Sequence, residues 1–176
     1  MELIPDDQIM KIRELFNKFS TSNENRITIF ENIETKKLKN AVSSFGRNRM
    51  MDEHTILLCD TTFFRSNKLG LLITNKAIYC KLIELQPIYH IKIENINSVE
   101  SYSNKNQNRI IFNLKSGEVL DLHLIFINET GAILLTEIIE LLMRAVNIEN
   151  IGNCSGCGAP LKISSDFCEY CGNKIN

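Results

Sequence analysis

The sequence predicts an α+β fold: an antiparallel β-barrel capped by a C-terminal helix, with helices before it and a small cysteine-rich module after it. Three observations lead there. Between Thr55 and Ile125, short β-type runs alternate with turn residues. Apolar residues recur at helical spacing before that region and again after it. Four of the six cysteines fall in the last 23 residues, as two Cys-x-x-Cys pairs.

The elements follow in chain order. Pro5, Asp6 and Asp7 suit a helix start, and Ile9, Ile12, Phe16 and Phe19 line one face as far as residue 19. Such a stripe is expected to dock on the main domain rather than to be offered to a partner. Residues 20–26 are a polar connector. Ile27 to Ile33 holds a short strand. Thr35 is placed to cap a helix over Lys36–Phe45, with Leu38, Ala41, Val42 and Phe45 on one face and Gly46 at its end.

Seven strands are then expected: Thr55–Cys59, Leu69–Thr74, Ala77–Ile83, Ile88–Ile93, Asn97–Ser103, Arg109–Leu114 and Glu118–Ile125. Asn75-Lys76 forms a tight turn, and Lys115-Ser116-Gly117 makes the clearest hairpin. A long helix spans about Glu129 to Val146, capped by Asn128, with Leu134, Ile138, Leu141, Leu142 and Ala145 as its apolar face. The expected units are residues 1–26 (helix and connector), 27–147 (main domain) and 148–176 (cysteine module).

Composition narrows the function classes. The net charge of −1 gives no long-range attraction toward nucleic acid or an anionic membrane. The acidic start Met-Glu-Leu-Ile-Pro-Asp-Asp lacks the basic and apolar parts of a signal peptide, so a cytoplasmic location is expected. The densest apolar stretch, Ala132 to Met143, is broken by Thr136, Glu137 and Glu140, which excludes it as a membrane span.

The cysteine pairs carry the sharpest chemistry. Cys154/Cys157 and Cys168/Cys171 each place two thiolates on one tight turn, and two such turns complete a four-thiolate site. That donor set suits Zn²⁺ and leaves no open position for water or substrate. Gly158 and Gly172 follow the second cysteine of each pair, where a sharp turn requires positive φ. The segment is too short for a core of its own, so the metal supplies its folding energy. A thioredoxin-like redox pair fits poorly, because two matched motifs occur rather than one at a helix start.

Further residues carry a resemblance. Leu69-Gly-Leu-Leu-Ile-Thr-Asn-Lys-Ala-Ile-Tyr79, Ile91-Lys-Ile-Glu-Asn-Ile-Asn-Ser-Val99, a glycine-centred hairpin and a final helix resemble bacterial pleckstrin-homology-like (PH-like) domains. Lys36–Phe45 and Asp60-Thr-Thr-Phe-Phe64 are similar to the lead-in of one such group. The tail resembles the small zinc ribbons appended to many bacterial proteins. The likeness covers about residues 27–176. It implies a seven-stranded bent barrel, closed at one end by the C-terminal helix, that serves as a binding platform rather than a catalyst.

Catalytic alternatives find little support. Asp121 and His123 share one face of a strand, but Leu120, Leu122 and Leu124 alternate with them, as on the wet face of a half-buried strand. Cys59 and Cys80 lie in apolar strands and read as inert thiols. Nucleic-acid binding by the zinc ribbon is the alternative function. Against it, Lys162 and Lys174 are offset by Asp166 and Glu169, and four thiolates with Zn²⁺ bring the module to −2. Lys36, Lys37, Lys39, Arg47 and Arg49 cluster on and after a helix, as solvated faces do. Lipid-headgroup binding would use the loop after the first barrel strand, which offers only Arg65 and Lys68. The remaining reading is a non-catalytic, zinc-binding adaptor for an unknown protein partner, with Phe63, Phe64, Arg65 and Lys68 as candidate contacts.

Overall fold

The structure is a computed structural model that describes residues 5–19, 26–47, 49, 53–62, 66–105, 107–149, 154–159, 167–168 and 170–174. Helix α1 (Asp6–Phe19) carries Asp6 and Asp7 in its first turn, where carboxylates favour the exposed N–H groups. Its Ile12 is fully buried, and Leu15, Phe16 and Phe19 pack half-buried against the same core. The stripe docks on the long C-terminal helix α3 (Glu129–Glu149).

Strand β1 (Ile27–Ile29) is shorter than expected, because the chain turns at Phe30 (φ 44°) into a 3-10 turn, Phe30–Asn32. Helix α2 (Thr35–Ser44) starts one residue early: Glu34 occupies the cap position without a side-chain hydrogen bond, and Thr35 is already helical. The N–H groups of Phe45 and Gly46 both donate to the Ala41 carbonyl and close the helix.

Seven more strands follow: β2 (Thr55–Asp60), β3 (Gly70–Thr74), β4 (Ala77–Lys81), β5 (Tyr89–Lys92), β6 (Ile96–Asn104), β7 (Gln107–Leu114) and β8 (Val119–His123). Every ladder is antiparallel. Among the described residues the expected closed barrel is not found. The strands form a five-stranded sheet, β1-β2-β3-β4-β5, and a three-stranded sheet, β6-β7-β8. The break has a local cause. After β5 a 3-10 turn, Ile93–Asn95, redirects the chain, anchored by the Ile93 N–H on the Lys76 carbonyl and by buried Ile93 and Ile96. Strand β6 therefore begins a new sheet instead of extending the first.

Burial explains the two textures of the β-runs. The five-stranded sheet is covered on both faces. One face, with Leu57, Cys59, Leu71, Ile73 and Ile78, joins the main core under α3. The other, with Leu58, Leu72, Ala77 and Tyr79, packs under Ala41 and Phe45 of the α2 segment. Strand β3 is buried at every position, so its sequence runs apolar without alternation. The three-stranded sheet keeps one face in water, and β8 alternates accordingly.

Turn chemistry matches its sequence. The N–H groups of Lys76 and Ala77 donate to Thr74 Oγ1, and the His54 N–H donates to Asn75 Oδ1. Gly117 takes φ 88° in the β7–β8 hairpin. Asn128 caps α3 by accepting the Gly131 N–H at 2.9 Å. Gly70 adopts φ 146° with its α-carbon against the Cys59 carbonyl, leaving no room for a side chain.

Helix α3 buries Ala132, Leu134, Leu135, Ile138, Ile139 and Leu142, a broader face than expected, while Leu141 is half-buried toward α1. Among the described residues, no helix is long and apolar enough to cross a membrane. Because Ile138 is wholly buried, Ile138→Ala should cost about 2–5 kcal/mol in urea unfolding. Ile138→Asp should remove the cooperative transition altogether, since it buries a carboxylate with no partner. A cooperatively folded Ile138→Asp protein would show that this face of α3 is not core.

Candidate metal centre

The two cysteine pairs fold as near-identical knuckles. In the first, the Cys154 N–H donates to the Ala159 carbonyl at 2.7 Å and the Gly158 N–H to the Cys154 carbonyl at 2.8 Å. In the second, the Cys168 N–H donates to the Asn173 carbonyl at 2.7 Å and the Gly172 N–H to the Cys168 carbonyl at 2.8 Å. Gly158 (φ 74°) and Gly172 (φ 75°) take the left-handed turn that the spacing requires. A bridge between Phe167 and Lys174 closes the second knuckle. Gly156 packs directly on the Asn173 side chain, so the absence of a side chain there lets the knuckles meet.

The turns bring four sulfurs together. All four lie within 4.8 Å of one another. Cys154 and Cys171 Sγ are 3.6 Å apart, and Cys157 and Cys168 Sγ 3.7 Å. A tetrahedron with metal–sulfur bonds of about 2.3 Å places its sulfurs about 3.8 Å apart. The cluster can hold a metal ion, with cysteines from both knuckles sharing each close pair. Cys154 and Cys168 are buried, and Cys157 and Cys171 are exposed.

Electrostatics argues for a cation. The Gly156 N–H donates to Cys154 Sγ at 3.4 Å and, with the Cys157 N–H, holds that thiol down to about 6. At Cys171 the Asn173 N–H favours the thiolate, but Cys157, partial desolvation and the other thiols outweigh it and push the group up to about 12. Cys157 also moves up: the Ala159 N–H and Cys171 favour its thiolate, yet desolvation, Cys168 and Cys154 prevail. Four adjacent thiols cannot all ionise against one another, and a bound cation removes that conflict. Asn173 was not singled out by sequence reasoning. Its position after Cys-x-x-Cys-Gly, matching Ala159, was the available signal.

The other candidates fall elsewhere. Phe63, Phe64 and Arg65 lie outside the described residues. Lys68 is exposed, and its carbonyl accepts the Ser44 hydroxyl at 2.7 Å, tying the end of that loop to α2. The start of the loop is organised by a residue to which the sequence assigned no role beyond the resemblance. Buried Asp60 accepts the Thr62 N–H and hydroxyl at 2.8 and 2.6 Å and the Asn67 N–H at 3.1 Å. Asp121 is bound by Arg109 at 2.8 Å, opposite His123 in the ladder. His90 stacks on Tyr79 with ring centroids 4.7 Å apart. His54 is half-buried, and its Nε2 has no hydrogen-bond partner among the described residues. Burial pushes the Cys59 and Cys80 thiols far up, which makes them poor nucleophiles.

Comparison with protein families and with curated proteins finds no match for this chain.

Metal removal tests the centre. The purified chain should carry about one equivalent of a divalent ion by mass spectrometry of the metal, and Cys154→Ser/Cys157→Ser should carry none. Affinity should fall as pH falls, because each ligating sulfur must lose its proton to bind. Chelation should abolish amide protection around both knuckles and leave the sheets folded.

Proposed function

We propose that the chain is a non-catalytic adaptor: Zn²⁺ held by Cys154, Cys157, Cys168 and Cys171 folds a C-terminal zinc ribbon, and a PH-like body presents surface to another protein. The carrying observation is the pair of sulfur separations, 3.6 and 3.7 Å. They suit a tetrahedron whose four positions are all taken by protein, which leaves no vacancy for water or substrate. A closed site of this kind serves structure.

Other observations agree with the reading. Asp121 is committed to Arg109, which weakens any acid–base pairing with His123. Four strands in a meander, β2 to β5, then three in a second, β6 to β8, then α3, suit a PH-like body. Thiols that must stay reduced to bind zinc fit a cytoplasmic setting. Phe167 and Tyr170 stand 56% and 74% exposed on the second knuckle, and aromatic side chains in that position are apt protein contacts. The loop from residue 61 to Lys68 is the other candidate contact.

Affinity purification from the native host, followed by rebinding of each captured protein in purified form, tests the proposal. The chain should retain a stable protein partner. Loss of that partner in Cys154→Ser/Cys157→Ser assigns the contact to the zinc ribbon, and retention assigns it to the body. Nucleic acid that co-purifies and dissociates steeply with salt would replace the adaptor reading with a nucleic-acid one.

A further inference from the structure

Among the described residues, strand β8 leaves one side of its backbone unpaired. Its ladder sets Leu122 opposite Ile110 and His123 opposite Arg109, and the Leu124 N–H donates to the Asn108 carbonyl. Hydrogen bonding alternates along an antiparallel pair. Leu120, Leu122 and Leu124 therefore bond to β7, and the N–H and C=O groups of Val119, Asp121 and His123 point outward. β8 ends its sheet, and these three residues are exposed. Sheet edges are usually blunted by charged side chains, proline or a bulge. β8 reads Val-Leu-Asp-Leu-His: its ladder is regular, it has no proline or lysine, and Asp121, its one charged side chain, is paired with Arg109.

A cleft of about 750 Å³ runs beside that edge. Each residue from Asp121 to Leu124 lines it from β8 and its extension, and Leu82, Ile83, Gln86 and Tyr89 line it from the β4–β5 connection. It thus occupies the seam where the two sheets fail to join. Its rim is apolar: Ile83, Ile125 and Phe126 are 45%, 41% and 48% exposed, and Leu85 on the same connection is 98% exposed. Phe126 takes φ 63°, rare for a bulky residue, with the Arg26 guanidinium 4.8 Å from its ring centre.

We propose that this edge docks an extended segment of another protein, added as a strand beside β8. The proposal rests on the adaptor reading and names where the partner binds and in what conformation. Outward groups on every second residue match the repeat of an extended backbone. A helix has spent its backbone groups internally and cannot use them. Residues of the incoming strand that bond to Asp121 and His123 share their outer face, beside the Asp121–Arg109 pair. The intervening residues share the apolar face of buried Leu122 and Leu124. The segment therefore alternates polar and apolar side chains. A second copy is a poor occupant, because the symmetric antiparallel register centred on β8 sets Asp121 against its own counterpart, and like charges directly opposite repel.

The test uses the full, metal-loaded chain and a random peptide library displayed on phage. Enriched peptides should alternate apolar and polar residues. The corresponding synthetic peptide should slow amide exchange at Val119, Asp121 and His123. His123→Pro deletes one outward donor that lies outside the ladder and should weaken binding about tenfold or more. His123→Ala keeps that donor and should bind within about twofold. The exchange measurement on the unaltered chain holds whether or not the proline variant folds. The proposal is overturned by a library that enriches nothing, by protection elsewhere, or by equal loss in both variants. Protection of these amides that rises with protein concentration alone would assign the edge to a second copy and also overturn it. Partners from the affinity purification that bind His123→Pro undiminished refute this site and leave the adaptor reading standing. If no protein partner is captured, the adaptor reading itself fails.

Discussion

Side-chain packing beneath α3 is what joins the two sheets. Among the described residues no ladder crosses from one to the other, so hydrogen bonding does not hold them in register. The main core instead gathers Leu71, Ile73 and Ile78 from one sheet and Ile110, Phe112 and Leu122 from the other around Leu135, Ile138 and Ile139 of the helix. Dispersion and the hydrophobic effect are non-directional, so this junction tolerates a seam at β8 that a hydrogen-bonded closure would remove. Helix α1 extends the same core by placing Ile12 against it.

Two buried carboxylates organise the polar segments that flank β2. Glu53 accepts the Thr74 and Tyr79 hydroxyls at 2.7 and 2.8 Å, which links the segment before β2 to the β3–β4 turn. Asp60 fixes the start of the β2–β3 loop through the bonds from Thr62 and Asn67. Burying a carboxylate is costly unless its oxygens are satisfied, and both residues accept hydrogen bonds that help meet that condition. The Arg26 guanidinium donates to the Thr62 carbonyl at 2.8 Å, so β1 braces the same loop.

The cysteine module is governed by different physics. Its described residues show short turns and a single bridge rather than an apolar core. Its order rests on four converging sulfurs and two left-handed glycines. A body held by apolar burial and a tail whose four cysteines could hold a metal ion respond to different perturbations, and this lets chelation and core substitution report on them separately.

Local chemistry was readable from the sequence by itself. The Cys-x-x-Cys-Gly spacing specified the knuckles, Asn128 the start of α3, Lys115-Ser116-Gly117 the hairpin, and the Ile12–Phe16 stripe a docked helix. Each depends on residues within a few positions of one another, where backbone preference and side-chain reach decide the outcome. The tertiary structure decided what depends on distant partners. Arg109 claims Asp121 from 12 residues away, and Glu53 meets Tyr79 from 26 residues away. Whether β6 extends the first sheet or begins a second turned on how Ile93 and Ile96 bury. The outward face of β8 followed from its register with β7. Periodicity marks a strand and its apolar face, but the strand's neighbour and its free edge depend on packing across the whole chain.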